Sequence, residues 1–215
     1  MESVWLGEVV YEDALALQRL LVERRVSDQT DDVVLTLTHD RVYTAGRHAD
    51  LARNLLGTRP DIRVVEIDRG GDLTYHGPGQ LVAYPIVKLR HSKEVRAFVE
   101  GLVAACVRTA RSFGVAARGD ARHTGVWVAG FGKLAAVGIR IDRRVTSLGL
   151  AFNVAPRLED FGGIVPCGIA DAGVCSLASL GVEATVDEVR DRLVAHLAET
   201  LDRPLTPVAA VETGS

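Results

Sequence analysis

Cys167 is the residue in this chain whose type and surroundings most favour covalent chemistry. It lies between Pro166 and Gly168, where few neighbouring side chains crowd its thiol. A reactive cysteine also needs a base or a cationic group that stabilises its thiolate, and Lys133 is our candidate for that group. The alternative is that Cys167 is a small buried apolar residue, which is the commoner fate of a free cysteine.

A glycine-rich segment at residues 69–80 strengthens the hypothesis of an active site. It contains four glycines together with the polar side chains of Arg69, Thr74, Tyr75 and His76. Glycines allow backbone N–H groups to approach a ligand closely, and the polar side chains add hydrogen-bond donors and acceptors. An ordinary long turn would explain the glycines and the proline at the end of this segment. It would not explain the polar residues beside them.

The chain resembles the octanoyl (lipoyl) transferase family, whose signature is Arg-Gly-Gly, then Thr, an aromatic residue and His, then Gly-Gln and a later Tyr. Residues 69–84 fit this signature without a mismatch. Three other blocks match in order and spacing, so the resemblance extends over about residues 5–200. They are residues 42–47, residues 133–138, and residues 166–169 with Asp171.

The resemblance implies an acyltransferase that carries out the first step of endogenous protein lipoylation. Family members move an octanoyl group from acyl carrier protein to a lysine of lipoyl domains, which belong to 2-oxoacid dehydrogenase complexes and the glycine cleavage H protein. The resemblance assigns the thioester intermediate to Cys167 and the proton transfers to Lys133. Since one thioester replaces another and the final amide is more stable, we expect neither ATP nor another cofactor. The histidines lack metal-ligand spacing, so no metal site is predicted.

The same resemblance implies a set of residues that contact the acyl chain. His76 could be a base, but the family gives the proton work to the lysine, which favours a role for His76 in orientation or structure. The implied substrate-binding residues are Arg69, Gly70, Gly71, Asp72, Leu73, Thr74, Tyr75, His76, Ala136, Val137, Gly138, Gly149, Leu150 and Ala151.

The chain departs from the family pattern at several positions. Leu148 stands before Gly149 where the family usually has histidine, and Asp40 stands where it usually has proline. Cys175 stands where threonine is common, so we expect it to pack as a small residue below the Cys167 segment. A narrower alternative is that Cys175 forms a disulfide with oxidised Cys167.

Composition limits the classes of protein to which the chain can belong. With 215 residues, of which 47% are hydrophobic, it can bury one sizeable core. Its net charge of −3 argues against general nucleic-acid binding. It has neither an apolar run of membrane-spanning length nor an N-terminal leader, and its three cysteines have no framework spacing. These features predict a cytoplasmic protein that binds neither membrane nor nucleic acid.

Hydrophobic periodicity predicts a single α/β domain at residues 1–203 and a disordered tail at residues 204–215. We expect a mixed, largely antiparallel sheet packed with helices, and the resemblance adds a fold like the catalytic domains of biotin and lipoate protein ligases. Pro85 should confine its strand to an edge or a bulge. The predicted strands span residues 33–37, 63–67, 81–89, 124–128, 133–141 and 145–154, and the predicted helices span residues 13–26, 92–113 and 186–201.

Two other function classes remain open on the sequence alone. One is an ATP-dependent lipoate or biotin ligase, which would not need Cys167 and should carry basic phosphate-binding loops that we do not find. The other is a non-catalytic relative that only binds acyl carrier protein. The presence of both Cys167 and Lys133 argues against it.

Overall fold

A seven-stranded mixed sheet forms the centre of the protein. The computed structural model describes residues 1–57, 59–120, 123–165 and 173–206. The strand order in this sheet is β1-β2-β6-β10-β9-β8-β7, and only the β1–β2 pair is parallel. Its strands are β1 (Glu2–Val9), β2 (Val33–His39), β6 (Gln80–Ile86), β7 (Ala117–Gly119), β8 (Gly125–Val128), β9 (Gly132–Asp142) and β10 (Val145–Asn153).

Helices cover both faces of this sheet. On one face, α1 (Tyr11–Val26) packs on an apolar cluster that includes Leu35, Tyr84 and Ala151. On the other face, α3 (Val95–Ser112) and α4 (Val186–Thr200) cover the larger cluster. Thr185 and Glu188 form a capping box at the start of α4. Cys106 is fully buried in the larger cluster.

A second, three-stranded sheet lies beside the first, and only one of its strands, at residues 63–67, was predicted. It has the order β4-β3-β5, formed by β3 (Val42–Ala45), β4 (Arg63–Glu66) and β5 (Leu73–His76), and α2 (Leu51–Asn54) is a single short turn between β3 and β4. The glycine-rich segment crosses from this sheet to the large one, since it contains β5 and leads into β6. Residues 77–79 of that segment therefore connect the two sheets.

Pro85 lies in an interior strand, between β2 and β10, rather than at an edge. The pairing of β6 with β10 stops at Ala83 and Leu150, one residue pair short of the proline. The space opposite is occupied by Gly149, where an added Cβ would lie 2.7 Å from Pro85 Cδ, and Leu148 has a φ of +59°. The pairing resumes at Lys88 and Val145 in the same register, so the ladder is open at this point but contains no extra residue. Pro85 therefore lies neither at an edge nor at a bulge, and the prediction is wrong. The missing N–H of the proline is tolerated because no residue of β10 pairs with Pro85.

The N-terminus and the residues after α4 lie side by side. The Met1 ammonium donates to the Pro204 carbonyl at 2.6 Å, and the Thr206 N–H donates to the Met1 carbonyl at 3.0 Å. Two of the first three residues of the expected tail, Pro204 and Thr206, thus have partners, and the remaining nine lie outside the described residues. Within the described part of the chain, no helix is both long and apolar enough to cross a bilayer.

Candidate active site

Four small residues on two paired strands form the floor of a cavity. Ala136 of β9 pairs with Ala151 of β10, and Gly138 pairs with Gly149 two positions further along. Directly paired residues point to the same face of a sheet, so the four leave a depression where larger side chains would fill the space. The cavity above them has a volume of about 570 Å³. Val137 and Leu150 also contribute to its lining.

The glycine-rich segment forms one wall of this cavity. Arg69, Gly70, Gly71, Asp72, Thr74 and His76 all line it. The Arg69 guanidinium donates to the Thr44 carbonyl at 2.9 Å and to the Thr44 hydroxyl at 3.1 Å, which ties the segment to β3. Gly138 of β9 lies next to Arg69, and an added Cβ there would be in ordinary van der Waals contact with Arg69 Cδ at 3.5 Å. The Arg69 side chain thus ties the glycine-rich segment to β3.

A β-bulge turns Lys133 toward the same cavity. Gly125 of β8 pairs with Ala136 of β9, and Trp127 of β8 pairs with Lys133 of β9. The two pairs are two residues apart in β8 but three residues apart in β9. Leu134 is the extra residue, and both it and Ala135 are buried in the larger apolar cluster. Since Gly125 and Trp127 share a face, their partners Ala136 and Lys133 share it too. Lys133 is 7% exposed and lines the cavity.

The backbone of Lys133 is bonded to the chain segment that follows Cys167. The Lys133 N–H donates to the Gly173 carbonyl at 2.8 Å, and the Cys175 N–H donates to the Lys133 carbonyl at 3.0 Å. Cys167 itself lies outside the described residues, as do Pro166 and the rest of residues 166–172. The structure therefore places one member of the predicted dyad and the chain that leads away from the other.

The chain that leads into the Cys167 segment is bonded to the glycine-rich loop through Asn54. The Val165 N–H donates to the Asn54 carbonyl at 2.8 Å, while the Asn54 side chain donates to the Asp72 carboxylate at 2.5 Å. Both described flanks of residues 166–172 are thus attached to residues that line the cavity, namely Asp72 on one side and Lys133 on the other.

His76 heads a buried chain of hydrogen bonds that runs to the backbone of Lys133 and Cys175. Its Nδ1 donates to Gln80 Oε1 at 2.8 Å, the Gln80 amide donates to Asn153 Oδ1 at 2.9 Å, and Asn153 Nδ2 donates to the Cys175 carbonyl at 3.0 Å. Gln80 must face His76 with its oxygen because its nitrogen donates to Asn153 and to the Tyr75 carbonyl.

Burial and the neighbouring His39 lower the pKa of His76 to about 3. His76 is therefore neutral at neutral pH and is a weak base, which favours orientation over proton abstraction. Because Nδ1 carries its proton, Nε2 is the ring atom that can accept a hydrogen bond.

Two of the expected substrate-binding residues do not line the cavity. Leu73 and Tyr75 alternate with Thr74 and His76 along β5, so their side chains point to the opposite face. They are buried in a third apolar cluster with Phe161, and the Tyr75 hydroxyl donates to the Asp160 carboxylate at 2.9 Å. Their position suits a structural role.

Cys175 packs beneath this site. It is 2% exposed, its thiol donates to the Gly132 carbonyl at 3.5 Å, and burial raises the pKa of that thiol to about 11. A protonated, buried thiol is the packing role that we expected from the sequence. The alternative disulfide depends on Cys167 and so lies outside the described residues.

Comparison with known proteins identifies the family to which this chain belongs. Residues 10–198 match the family model of the lipoyl protein ligase A/B catalytic domain. An octanoyltransferase of Mycolicibacterium gilvum is 46% identical over 206 residues, covering 92% of this chain and 84% of the relative. An octanoyltransferase of Solibacter usitatus is 42% identical over 211 residues, covering 96% and 95%. The chain belongs to the octanoyltransferase family. It is thereby an enzyme of the acyltransferase class.

Solved structures confirm the fold expected for an octanoyltransferase family member. A bi-partite lipoate protein ligase from Thermoplasma acidophilum superposes with a TM-score of 0.72 at 17% identity, covering 96% of this chain and 85% of that one. The biotin protein ligase of Aquifex aeolicus superposes with a TM-score of 0.57 at 14% identity, covering 94% and 69%. The predicted α/β architecture, a mixed and largely antiparallel sheet with helices on it, is therefore correct.

Several residues that line the cavity of this family member were not predicted. The largest are Tyr11, at the start of α1, and Tyr84, at the end of the recognised signature. The sequence pointed to Tyr84, because it is the last residue of the family signature. No pattern in the segment around Tyr11 indicated a place in the site. The remaining unpredicted lining residues are His48, Val99, His123, Thr124, Ile139 and Leu148.

Proposed function

We propose that this chain transfers an octanoyl group from acyl carrier protein to a lipoyl-domain lysine through a thioester on Cys167. One observation carries the proposal. Lys133 enters a cavity with a floor of small residues, and its backbone is bonded to Gly173, on the chain segment that follows Cys167. The 46% identity to an octanoyltransferase supports the choice of acyl group.

The cavity suits an acyl chain that is held next to a polar reacting end. The floor at Ala136, Gly138, Gly149 and Ala151 offers an acyl chain contact without bulk. Arg69 and Asp72 are already engaged by Thr44 and Asn54, so we propose that they shape the loop around the chain. The backbone N–H groups of Gly70 and Gly71 are our candidates for stabilising negative charge on the acyl oxygen.

The reaction would proceed in two balanced acyl transfers. In the first, the Cys167 thiolate forms a bond to the thioester carbonyl carbon and the carrier thiolate leaves, taking a proton from the Lys133 ammonium. In the second, the amine of the target lysine attacks the Cys167 thioester and loses a proton to Lys133, and the Cys167 thiolate leaves. Lys133 returns to its charged form, and no nucleotide is consumed.

The acyl donor and acceptor are proposed by chemical class. The donor is an octanoyl thioester of acyl carrier protein, and the acceptors are lipoyl domains of 2-oxoacid dehydrogenase complexes and the glycine cleavage H protein. Family membership supports lipoyl-domain acceptors in general. The likeness to lipoate ligases supports only the fold, so a nucleotide-dependent reaction is the competing outcome in the test.

The test is intact-mass analysis after mixing the protein with octanoyl carrier protein in the absence of nucleotide. The wild type should gain one octanoyl group, which should then move to an added lipoyl domain. Cys167→Ala should gain none, whereas Cys175→Thr, the matched control for a second thiol, should gain one as the wild type does. Acylation of Cys167→Ala with transfer preserved would refute the thioester route. A strict requirement for ATP would replace it with ligase chemistry.

A further inference from the structure

An aromatic ring lies against the end of the Lys133 side chain. Trp127 is the cross-strand partner of Lys133, and Lys133 Nζ is 4.7 Å from the centroid of the Trp127 ring. The face of an indole ring carries negative electrostatic potential, so it attracts an ammonium group at this distance. The contact therefore holds the end of the lysine side chain in one place.

The Trp127 ring is itself held in position. Its indole N–H donates to the His123 carbonyl at 2.9 Å, and the His123 ring meets it edge to face at a centroid distance of 6.4 Å. His123 and its neighbour Thr124 both line the cavity. The ring that contacts Lys133 is thus bonded to the wall of the same cavity.

Gly125 leaves space for the alkyl part of Lys133. It has a φ of +147°, and an added Cβ would lie 3.4 Å from Lys133 Cε and 2.7 Å from the Ala135 carbonyl oxygen. The lysine stem therefore passes over the bare backbone of β8, while its charged end reaches the ring two residues further along. A larger residue at 125 would clash with the Ala135 carbonyl of β9, in the strand that carries Lys133.

We propose that Trp127 is a positioning residue that holds the Lys133 ammonium at the cavity, oriented for proton exchange with the Cys167 thiol. Lysine has a long, flexible side chain, and the transfers described above need its proton within reach of a thiol at two successive steps. Fixing the ammonium on an aromatic face restricts that freedom without removing its protons. This inference rests on the proposed function, because it needs the dyad to act.

The contact can be tested without any acyl donor. The chain has two tryptophans, so Trp5→Phe, at a residue 40% exposed on β1, leaves Trp127 as the fluorescent side chain. In that background, Lys133→Met should shift the emission of Trp127. Lys93→Met, which removes an exposed lysine near the start of α3, should leave it unchanged. Equal spectra for Lys133→Met and the parent would refute the contact.

A double-mutant cycle tests whether Trp127 acts through Lys133. The readout is the rate at which iodoacetamide alkylates Cys167, measured at pH 7 and across the pH range. Trp127→Leu should slow alkylation about tenfold, equivalent to about 1.4 kcal/mol and within the range of a cation on an indole ring. In Lys133→Met, the added Trp127→Leu should have no further effect. An equal tenfold loss in both backgrounds would overturn the proposal.

Trp127→Phe separates positioning from packing. Phenylalanine keeps an aromatic face, so kcat should fall less in Trp127→Phe than in Trp127→Leu. In both variants, KM for the carrier should stay within about twofold of the wild-type value. Equal losses in the two variants, or a loss confined to KM, would contradict the proposal. Should Trp127→Leu fail to fold, the phenylalanine variant and the fluorescence comparison still decide the question.

The two failures can be told apart. If Lys133→Met alkylates at Cys167 as fast as the wild type, the dyad of the proposed function fails. If Lys133→Met is slow but Trp127→Leu is unaffected, the dyad stands and the positioning role of Trp127 fails.

Discussion

Replacing Asp160 with asparagine is expected to destabilise the protein by about 3–5 kcal/mol, the usual cost of breaking a buried ion pair. The Asp160 side chain has no solvent exposure. Arg41 donates to both of its oxygens, at 2.9 and 3.0 Å, and Arg59 lies 2.5 Å from one of them. Tyr75 donates the further bond described above. Asparagine would keep the shape but leave two guanidinium groups facing a neutral amide.

The same cluster predicts how stability depends on pH. Burial alone would raise the pKa of Asp160, but hydrogen bonds from Arg41 and Tyr75 and the charge of Arg59 hold it below its ordinary value. A carboxylate with a lowered folded-state pKa contributes stability that is complete above the unfolded pKa, near 4. That contribution is lost as the pH falls through the lower, folded value. Asp160→Asn should lack this part of the acid transition.

Urea unfolding at pH 7 and at a series of acidic values is the assay, with Asp61→Asn as the matched control. Asp61 pairs with the same two arginines, but its side chain is 51% exposed. Asp61→Asn should therefore destabilise the protein far less than Asp160→Asn. Tyr75→Phe removes one hydrogen bond to a charged acceptor and should cost about 1.5–3 kcal/mol. A loss below about 1 kcal/mol in Asp160→Asn, with the acid profile of the wild type, would refute the account of this cluster.

Two further predictions concern the cavity and the thiol beneath it. Ala151→Leu adds bulk to the cavity floor opposite Ala136, so it should lower the preference of the enzyme for octanoyl over hexanoyl carrier protein. The preference should fall about tenfold if overpacking costs about 1.4 kcal/mol. An unchanged ratio of the kcat/KM values for the two donors would contradict the placement of Ala151 against the acyl chain. Cys175→Thr can keep the bond to the Gly132 carbonyl, so octanoyl transfer under reducing conditions should stay within about twofold of the wild type, and a large loss in that assay would overturn the packing role.

The sequence predicted those parts of the fold that depend on local pattern. The three long helices, the hairpin of β8 and β9 and its extension into β10 follow from periodicity and turn residues, and each lies within a few residues of its expected bounds. Of the three-stranded sheet, β4 was predicted as the strand at residues 63–67. The other two strands, β3 and β5, were missed because they have only four residues each, too few to show a clear period. The unpredicted β1 closes one edge of the large sheet by parallel pairing with β2, a contact between distant segments.

The side-chain directions in the site could not be predicted from the motif alone. Lys133 reaches the cavity because Leu134 is an extra residue in β9, and the pairing that creates this bulge involves another strand. The contact of Lys133 with Trp127 depends on the same register. Cys167 and Lys133 were chosen for their chemistry and for the family signature, neither of which specifies the face of a strand.

The alternation within β5 explains how one short motif can serve both the cavity and the chain that leads to Cys167. Thr74 and His76 face the cavity, while Leu73 and Tyr75 face the third apolar cluster, from which the Tyr75 hydroxyl donates to Asp160. Asp160 lies in the turn Leu158–Gly163, which ends shortly before residues 166–172. A change at Tyr75 should therefore alter transfer by moving that turn, without any contact between Tyr75 and the acyl chain. The division of β5 between the two faces follows from the two-residue period of side chains along a strand. A list of the motif residues alone does not show it.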